Sequence, residues 1–383
     1  MGIVPRNEAP ALAGEGPSNA VSATFSILGV TVCVKGSPAS DIEPVIREYA
    51  AFRSDDVSPS WDIAWDGHAS PTTLTFDGKV HPCIPQKSAA SIISTKIMDR
   101  VYEAGEDFYL LHGAAAAWQN VLIIFPGQTG SGKSSLSIAL ARSGWSLFSD
   151  EVIAISRESL QVVPFPRAVS AWGSSPALRE LLRAQKQREP FVPAVGKRTK
   201  SLIPFSFFNQ PPAPLSPAAL VCLRGGRREA RRGGQEIAVT YWDERMEKLA
   251  REKGIHDHLR TRKVGEFWCI RSDNTEIVET ICTSLGGIVI DRDLVKSPPP
   301  AFAKRPVLEP VSPSECLDAI WAVFENGRSL TNREGGAVKL YLKLARIVKT
   351  MPCFWLRPGP SSSTCELLRN LADKLNKRDV SRE

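Results

Sequence analysis

The chain has 383 residues, of which 43% are hydrophobic and 23% charged, so its composition allows a sizeable core in one large domain or two smaller ones. The formal net charge of +7 favours acidic partners, such as nucleotides, acidic peptides or nucleic acid, without choosing among them. No apolar run approaches the length that spans a bilayer, which excludes a membrane-spanning helix.

The first segment, residues 1–22, mixes Gly and Pro with charged residues and lacks the basic-then-apolar order of a signal peptide. We therefore predict a disordered leader and a cytoplasmic protein. The eight cysteines include no C-x-x-C pair, which favours reduced core thiols over a zinc site.

Residues 23–105 are predicted to form a small α+β module. The β-rich stretch 24–34 has a Gly inside it, which indicates a hairpin or a bent strand. Asp77-Gly78 marks a turn between further short strands, and residues 88–103 follow helical spacing. The apolar positions that share one face of this helix are Ile92, Ile93, Ile97, Met98 and Val101.

Residues 106–156 form the clearest unit of the sequence. The predicted elements are strands 108–111, 121–125, 146–149 and 152–156, and a helix 133–142. The run 121–125 is continuously apolar, as suits a buried strand, and Gly144 stands where a glycine would cap the helix.

A phosphate-binding loop joins the second of these strands to the helix. Residues 127–134 read Gly-Gln-Thr-Gly-Ser-Gly-Lys-Ser, the P-loop pattern, in which backbone N–H groups surround phosphates at a helix N-terminus. Lys133 would reach the β- and γ-phosphates, and the Ser134 hydroxyl would bind Mg²⁺. The candidate nucleotide-binding residues are Gly127, Gln128, Thr129, Gly130, Ser131, Gly132, Lys133, Ser134 and Ser135.

Two adjacent carboxylates, Asp150 and Glu151, end the next strand, and Asp150 follows Lys133 by only 17 positions. If the two strands are neighbours, the pair lies beside the γ-phosphate, where one carboxylate can act as a base and the other can hold Mg²⁺. A solvated turn at a strand end is the alternative. His112 ends the strand before the P-loop strand, and geometry alone leaves its role undecided.

The remainder of the chain alternates strand, loop and helix patterns. Strands are expected at 219–223 and 235–242, on either side of an exposed arginine-rich loop, 224–234. A linker-like stretch is expected at 296–311. The sequence Ser-Pro-Ser-Glu at 312–315 predicts a capping box, which opens a helix that Gly327 should close. The last predicted elements are a helix 336–349, a strand 351–357 and a helix 364–375.

Basic residues after the P-loop unit are candidates for clamping phosphate or an acidic substrate: Arg167, Lys197, Arg198 and Lys200. Solvated surface charge is the alternative for each of them. The arginine loop, 224–232, could bind an acidic leader peptide or nucleic acid. Because it has no interleaved aromatic residues, we expect no nucleic-acid partner.

Four segments together resemble the core of HPr kinase/phosphorylase and its relatives, which share the P-loop fold of phosphoenolpyruvate carboxykinase. They are Leu111-His112-Gly113, residues 127–134, Ser143-Gly144-Trp145 and Leu147-Phe148-Ser149-Asp150-Glu151. The resemblance is specific over 106–156 and weaker over 163–167 and 351–356. The first hundred residues are similar in kind to the small β-rich region of related kinases, including those that phosphorylate lasso peptides.

This resemblance implies an α/β (α+β) fold, with a P-loop kinase domain over 106–383, C-terminal helices and a serine/threonine-directed phosphotransferase activity. Carried over by position, the active-site histidine is His112 and the paired acidic residues are Asp150 and Glu151, although the family usually has Asp at the second position. The Gly-rich, Arg-containing segment that serves the reverse reaction of the family is not found in the sequence. We therefore expect a one-way kinase of a protein or peptide other than HPr.

The hypothesis is that ATP binds the P-loop and Asp150 accepts the proton of the substrate hydroxyl. Glu151 and Ser134 would position Mg²⁺, and His112 would orient or tune Asp150. The competing classes are a transport or motor ATPase, a nucleotide-sensing binding module and a small-molecule kinase. No Leu-Ser-Gly-Gly signature follows, and both Lys133 and the acidic pair are intact, which disfavours the first two. A homo-oligomer is left open.

Overall fold

The structure, a computed structural model, describes residues 20–55, 57–82, 89–128, 130–172, 191–193, 199–211, 213–223, 235–239, 242–255, 259–264, 267–272, 274–285, 289–291 and 303–380. Within these ranges the chain is a mixed α/β protein with four sheets and nine α-helices. No helix in the same ranges is both long enough and apolar enough to cross a membrane.

The elements follow one another in three stretches of chain. The first comprises β1 (Val21–Ile27), β2 (Val30–Ser37), α1 (Ala39–Glu48), β3 (Trp61–Asp66), β4 (Thr73–Phe76), β5 (Lys79–Pro82) and α2 (Ala89–Ala104). The second comprises β6 (Phe108–Trp118), β7 (Val121–Pro126), α3 (Lys133–Arg142), β8 (Ser146–Ser149), β9 (Val152–Ser156), β10 (Val162–Val163), β11 (Val169–Trp172), β12 (Phe191–Pro193), β13 (Thr199–Ile203) and β14 (Pro217–Leu223). The third comprises β15 (Gln235–Val239), α4 (Glu244–Glu252), β16 (Arg260–Val264), β17 (Phe267–Ser272), α5 (Thr275–Ser284), β18 (Val289–Asp291), β19 (Val307–Pro310), α6 (Pro313–Trp321), α7 (Gly327–Arg333), α8 (Ala337–Lys349), β20 (Cys353–Arg357) and α9 (Ser361–Val380).

The first stretch builds a five-stranded sheet, β1 to β5 in chain order, with α1 and α2 packed against it. Its local predictions are confirmed. Leu28 and Gly29 both have positive φ, as do Asp77 and Gly78, which is what two-residue hairpin turns of this hand require. The five apolar residues predicted on one face of α2 are all buried.

The central sheet has the order β10-β9-β6-β7-β14-β20-β19, and β8 also pairs with β6. Strands β14 and β20 run parallel to β7, whereas β6 is antiparallel to β7, β8 and β9. Helices α3 and α9 pack on one face of this sheet, and α6, α7 and α8 pack on the other. The P-loop strand β7 therefore lies in the middle of a sheet that is covered on both sides.

Strand β6 is one continuous strand from Phe108 to Trp118 and is longer than the predicted 108–111. It includes the Ala-rich stretch 114–117, whose side chains are buried. Small side chains let α3 approach the sheet closely, so this stretch serves as a strand even though alanine has little intrinsic preference for one.

Two smaller sheets lie outside the central one: β11-β13-β12, and β16-β17-β15-β18 with helices α4 and α5. The predicted strands at 219–223 and 235–242 correspond to β14 and β15, which belong to different sheets. The arginine loop between them, 224–234, is outside the described residues. The linker-like stretch, 296–311, is described from residue 303 onward. It includes β19, which pairs with β20 at the edge of the central sheet.

The capping box at Ser312 and Glu315 is confirmed, but the helix that it opens ends at Trp321 and not at Gly327. Tertiary contacts explain the difference, because the segment after the helix bonds to β6. His112 N donates to Val323 O at 2.7 Å, and Glu325 N donates to Leu110 O at 2.9 Å. Gly327 instead begins α7. The three remaining C-terminal elements are confirmed with small shifts in their ends, as α8, β20 and α9.

Candidate functional site

The P-loop connects the end of β7 to the first turn of α3. Gly130 and Gly132 have φ of +82° and +96°, in the region that favours glycine, and Gly132 is the N-cap of α3. A Cβ on Gly127 would lie 2.9 Å from the Ser131 hydroxyl oxygen, so a larger residue there would require the Ser131 side chain to move. These glycines give the loop the tight path that phosphate binding by backbone N–H groups needs. Thr129 is outside the described residues.

Lys133 lies under this loop, with its side chain folded back toward it. Its Nζ donates to Gly127 O at 2.7 Å and to Gln128 O at 2.8 Å, and the residue is only 5% exposed. The ammonium group is therefore held against the backbone of the loop and is largely shielded from solvent. An anion that approaches the loop would meet a cation whose desolvation has already occurred.

The acidic pair lies one strand away from the P-loop strand, because β6 runs between β7 and β8. Since β6 is antiparallel to both, β7 and β8 point in the same direction and end at the same edge of the sheet. The hydroxyl of Ser149 accepts from the backbone N–H groups of Glu151 and Val152 and turns the chain between β8 and β9. Asp150 thus follows the strand after α3 as expected, but the two strands are not neighbours, because β6 lies between them.

Asp150 is 7% exposed, and within the described chain its Oδ1 has no hydrogen-bond partner. Burial raises the pKa of the Asp150 carboxyl to about 7, while the hydroxyls of Ser137 and Ser134 favour the ionised form. Both serines belong to the first turns of α3. A carboxyl group with such a pKa can exchange a proton near neutral pH.

His112 is next to both motifs. Its Nδ1 lies 3.1 Å from Glu151 O, so the ring donates Nδ1–H to this carbonyl, and its own carbonyl accepts from Gly127 N at 3.2 Å. Burial, together with the charge of Lys133, lowers the pKa of His112 to about 4. The imidazole is therefore neutral near pH 7, and it forms a hydrogen bond with the backbone carbonyl of Glu151.

Arg167 is the one member of the predicted basic clamp whose side chain is described. Its Nη1 lies 2.7 Å from Glu151 Oε2, and its Nη2 lies 2.6 Å from Glu48 Oε1. Lys197 and Arg198 are outside the described residues, and so is the side chain of Lys200.

Two residues near the site were not anticipated from the sequence. Ser137 is one helical turn after Ser134 on α3, so helical spacing could have identified it. Glu48, at the end of α1, binds Arg167 from 119 positions earlier in the sequence, and no local sequence pattern predicts this contact.

The residues present fit a triphosphate and a small divalent cation. Among the described residues, no group of three or more His, Cys, Asp or Glu side chains could hold a metal by itself. Mg²⁺ usually takes only one or two carboxylates and completes its shell with phosphate oxygens and water. Asp150, Glu151 and the Ser134 hydroxyl together supply that donor set, and Asp150 Oδ1, which has no partner in the described chain, is free either to complete the set or to accept a proton.

No protein-family model matches the sequence, and no curated protein matches it either. The geometry around the P-loop is therefore the basis on which a function can be assigned.

Proposed function

We propose that this chain is an ATP-dependent, cytoplasmic serine/threonine kinase with a P-loop core of the HPr kinase and phosphoenolpyruvate carboxykinase type. Its substrate would be a hydroxyl group of a protein or ribosomal peptide. The observation that carries the proposal is the buried carboxyl of Asp150, with a pKa of about 7, beside the first turn of the P-loop helix. A carboxyl that exchanges a proton near neutral pH is suited to accept the proton of an attacking hydroxyl group.

Each residue of the site has a definite task in this proposal. Backbone N–H groups within 127–135 and the Lys133 ammonium would bind the phosphates, and the Ser134 hydroxyl with Glu151 would hold Mg²⁺. When bound, Mg²⁺ supplies neutralisation of charge on the β- and γ-phosphates. Asp150 accepts the proton of the substrate hydroxyl as the oxygen attacks.

His112 and the central sheet preorganise this arrangement. The hydrogen bond from His112 to Glu151 O fixes the turn that carries both carboxylates. Because the imidazole is neutral, it adds no positive charge that would draw Asp150 away from the hydroxyl. A cytoplasmic location agrees with the free thiols of the six cysteines whose side chains are described, since such thiols persist in reducing compartments.

The test is phosphate transfer to the products of the coding sequences that neighbour this one. The protein is incubated with ATP, Mg²⁺ and each product, and the gain of one phosphate on Ser or Thr is followed by mass spectrometry. We expect Asp150→Asn to slow transfer by at least about a hundredfold, the lower range for loss of a general base, with nucleotide affinity retained. Lys133→Ala should lose nucleotide affinity as well.

Lys339→Ala is the matched control, because this lysine is on the exposed face of α8. Unchanged transfer by Asp150→Asn would refute the role of the base. Release of free phosphate without a modified hydroxyl would favour the ATPase, and phosphate on a metabolite would favour a small-molecule kinase. Nucleotide binding without release or transfer of phosphate would favour a sensing module.

A further inference from the structure

One arginine is shared by two carboxylates that come from different parts of the chain. Arg167 Nη1 pairs with Glu151 Oε2 at 2.7 Å, while Nη2 and Nε reach Glu48 Oε1 at 2.6 and 3.0 Å. The Arg167 and Glu48 side chains are 10% and 12% exposed, and that of Glu151 is 38% exposed. The ion triad thus joins the end of α1, in the N-terminal sheet unit, to the acidic pair of the site.

Further contacts hold the guanidinium in this position. Its centre lies 5.1 Å from the centroid of the Tyr49 ring, and Nη2 donates to the Ser94 hydroxyl at 2.9 Å. The backbone is fixed too, because Ala168 N donates to Glu48 O at 2.9 Å. Arg167 therefore has little freedom to turn from one carboxylate to the other, and both compete for the same charge.

We propose that Glu48 and Arg167 are positioning residues that set the affinity of Glu151 for the divalent cation, so that the N-terminal sheet unit controls metal loading of the site. This inference rests on the proposed function, since it takes Glu151 as a ligand of Mg²⁺.

The coupling between Glu48 and Glu151 is electrostatic. A guanidinium between two carboxylates divides its attraction between them, and because Arg167 and Glu48 are largely buried, water screens that attraction only weakly. The cation must compete with Arg167 for the Glu151 carboxylate. If the charge of Glu48 is removed, Arg167 acts on Glu151 alone and holds it more firmly, so the cation binds less readily. Glu48 thereby weakens the ion pair between Arg167 and Glu151.

Glu48→Gln tests this directly, because the Gln Oε1 can still accept from Arg167 while the charge is lost. A fluorescent, non-hydrolysable ATP analogue is titrated over a range of Mg²⁺ concentrations, and the Mg²⁺ midpoint of binding is compared with that of the wild type. We expect the midpoint to rise by at least about fivefold, the lower end of the usual range for coupling between two sites.

Glu43→Gln is the matched control. Glu43 is on the same helix and pairs with Arg47 at the surface, away from Arg167. Its Mg²⁺ midpoint should equal that of the wild type. A second measurement needs no nucleotide: in a double-mutant cycle of Glu48→Gln and Glu151→Gln, unfolding free energies should be non-additive because Arg167 couples the two carboxylates.

The results that would contradict the positioning role differ from the result that would contradict the proposed function. Additive unfolding free energies, or an unchanged Mg²⁺ midpoint in Glu48→Gln, would overturn the positioning role alone. Tighter nucleotide binding by Glu48→Gln in the absence of Mg²⁺ would also overturn it and would show instead that Arg167 moves to clamp phosphate. A wild-type protein that binds no Mg²⁺–nucleotide would refute the proposed function itself, whatever the cycle shows.

Discussion

Asp150 owes its unusual chemistry to where it is buried. In the unfolded chain its carboxyl titrates near 3.8, whereas burial raises the pKa to about 7 in the folded protein. Between these two values the folded state binds a proton that the unfolded state has released. Asp150 therefore contributes stability at low pH, and that contribution is lost as the pH rises from about 4 to about 7.

Asp150→Asn removes this titration, so we expect the variant to be more stable than the wild type at pH 8 and to lose that advantage toward pH 4. A shift of this size corresponds to a difference of about 4 kcal/mol as an upper limit. Urea unfolding of both proteins at pH 5 and pH 8 measures it. Asp62→Asn, at an exposed strand position, is the control. Its unfolding free energy should differ from that of the wild type by the same amount at both pH values. A gap for Asp150→Asn that does not widen with pH would contradict a buried, protonatable Asp150.

At the scale of elements, the site depends on how closely β6 approaches β7 and β9. Gly113 lies opposite Pro126 in β7, and its N–H donates to Glu151 O at 2.9 Å. A Cβ on this glycine would lie 2.4 Å from Ile153 Cδ1 and 2.9 Å from the carbonyl oxygen of Phe125. The glycine therefore lets the strand carrying His112 fit between the P-loop strand and the turn that carries the acidic pair.

Gly113→Ala should lower the free energy of unfolding by about 1–3 kcal/mol, the usual cost of overpacking a core. Chemical denaturation measures this loss. Ile153→Val removes the methyl group that the new Cβ would strike, so the double variant should lose less than the sum of the two single variants. Rescue will be partial, because the contact with Phe125 O involves the backbone and stays. Strict additivity would show that Ile153 does not limit the space at Gly113.

The elements that could be predicted are those whose signals are local. The turn at Asp77-Gly78, the capping box at Ser312 and the helix after Lys133 each depend on residues within a few positions of one another. Their chemistry restricts the backbone directly, through positive φ, through side-chain capping and through helical spacing. The glycine turns before this helix belong to the same group, because Gly130 and Gly132 have positive φ and stand next to its first residues.

The elements that escaped prediction depend on distant partners. The helix after Ser312 stops before Gly327 because β6 binds the segment that follows it, which no helix signal reveals. The position of Asp150 relative to the P-loop depends on β6 lying between β7 and β8. Glu48 meets Arg167 across 119 positions of sequence. Such contacts are selected by packing of the whole chain and leave no local pattern.

At the scale of the whole molecule, the N-terminal sheet unit and the P-loop sheet share apolar contacts. The core built around β1 to β3 also includes Leu110, Val152, Ala154 and Phe165, which belong to the central sheet or the segment after it. The rings of Phe52 and Phe165 pack with centroids 5.0 Å apart. Separation of the two units would expose these side chains to water, so we expect them to unfold together.

Ile63→Ala provides the test, because Ile63 is fully buried in β3 and belongs to the N-terminal core. Such a substitution costs about 2–5 kcal/mol. If the two units unfold as one, hydrogen-exchange protection should fall by a similar amount in β2 and in the distant strand β7. Val338→Ala, on an exposed face of α8, should change neither. Loss of protection confined to β1–β5 would mean that the units unfold separately, and the shared side chains would then contribute too little to couple them.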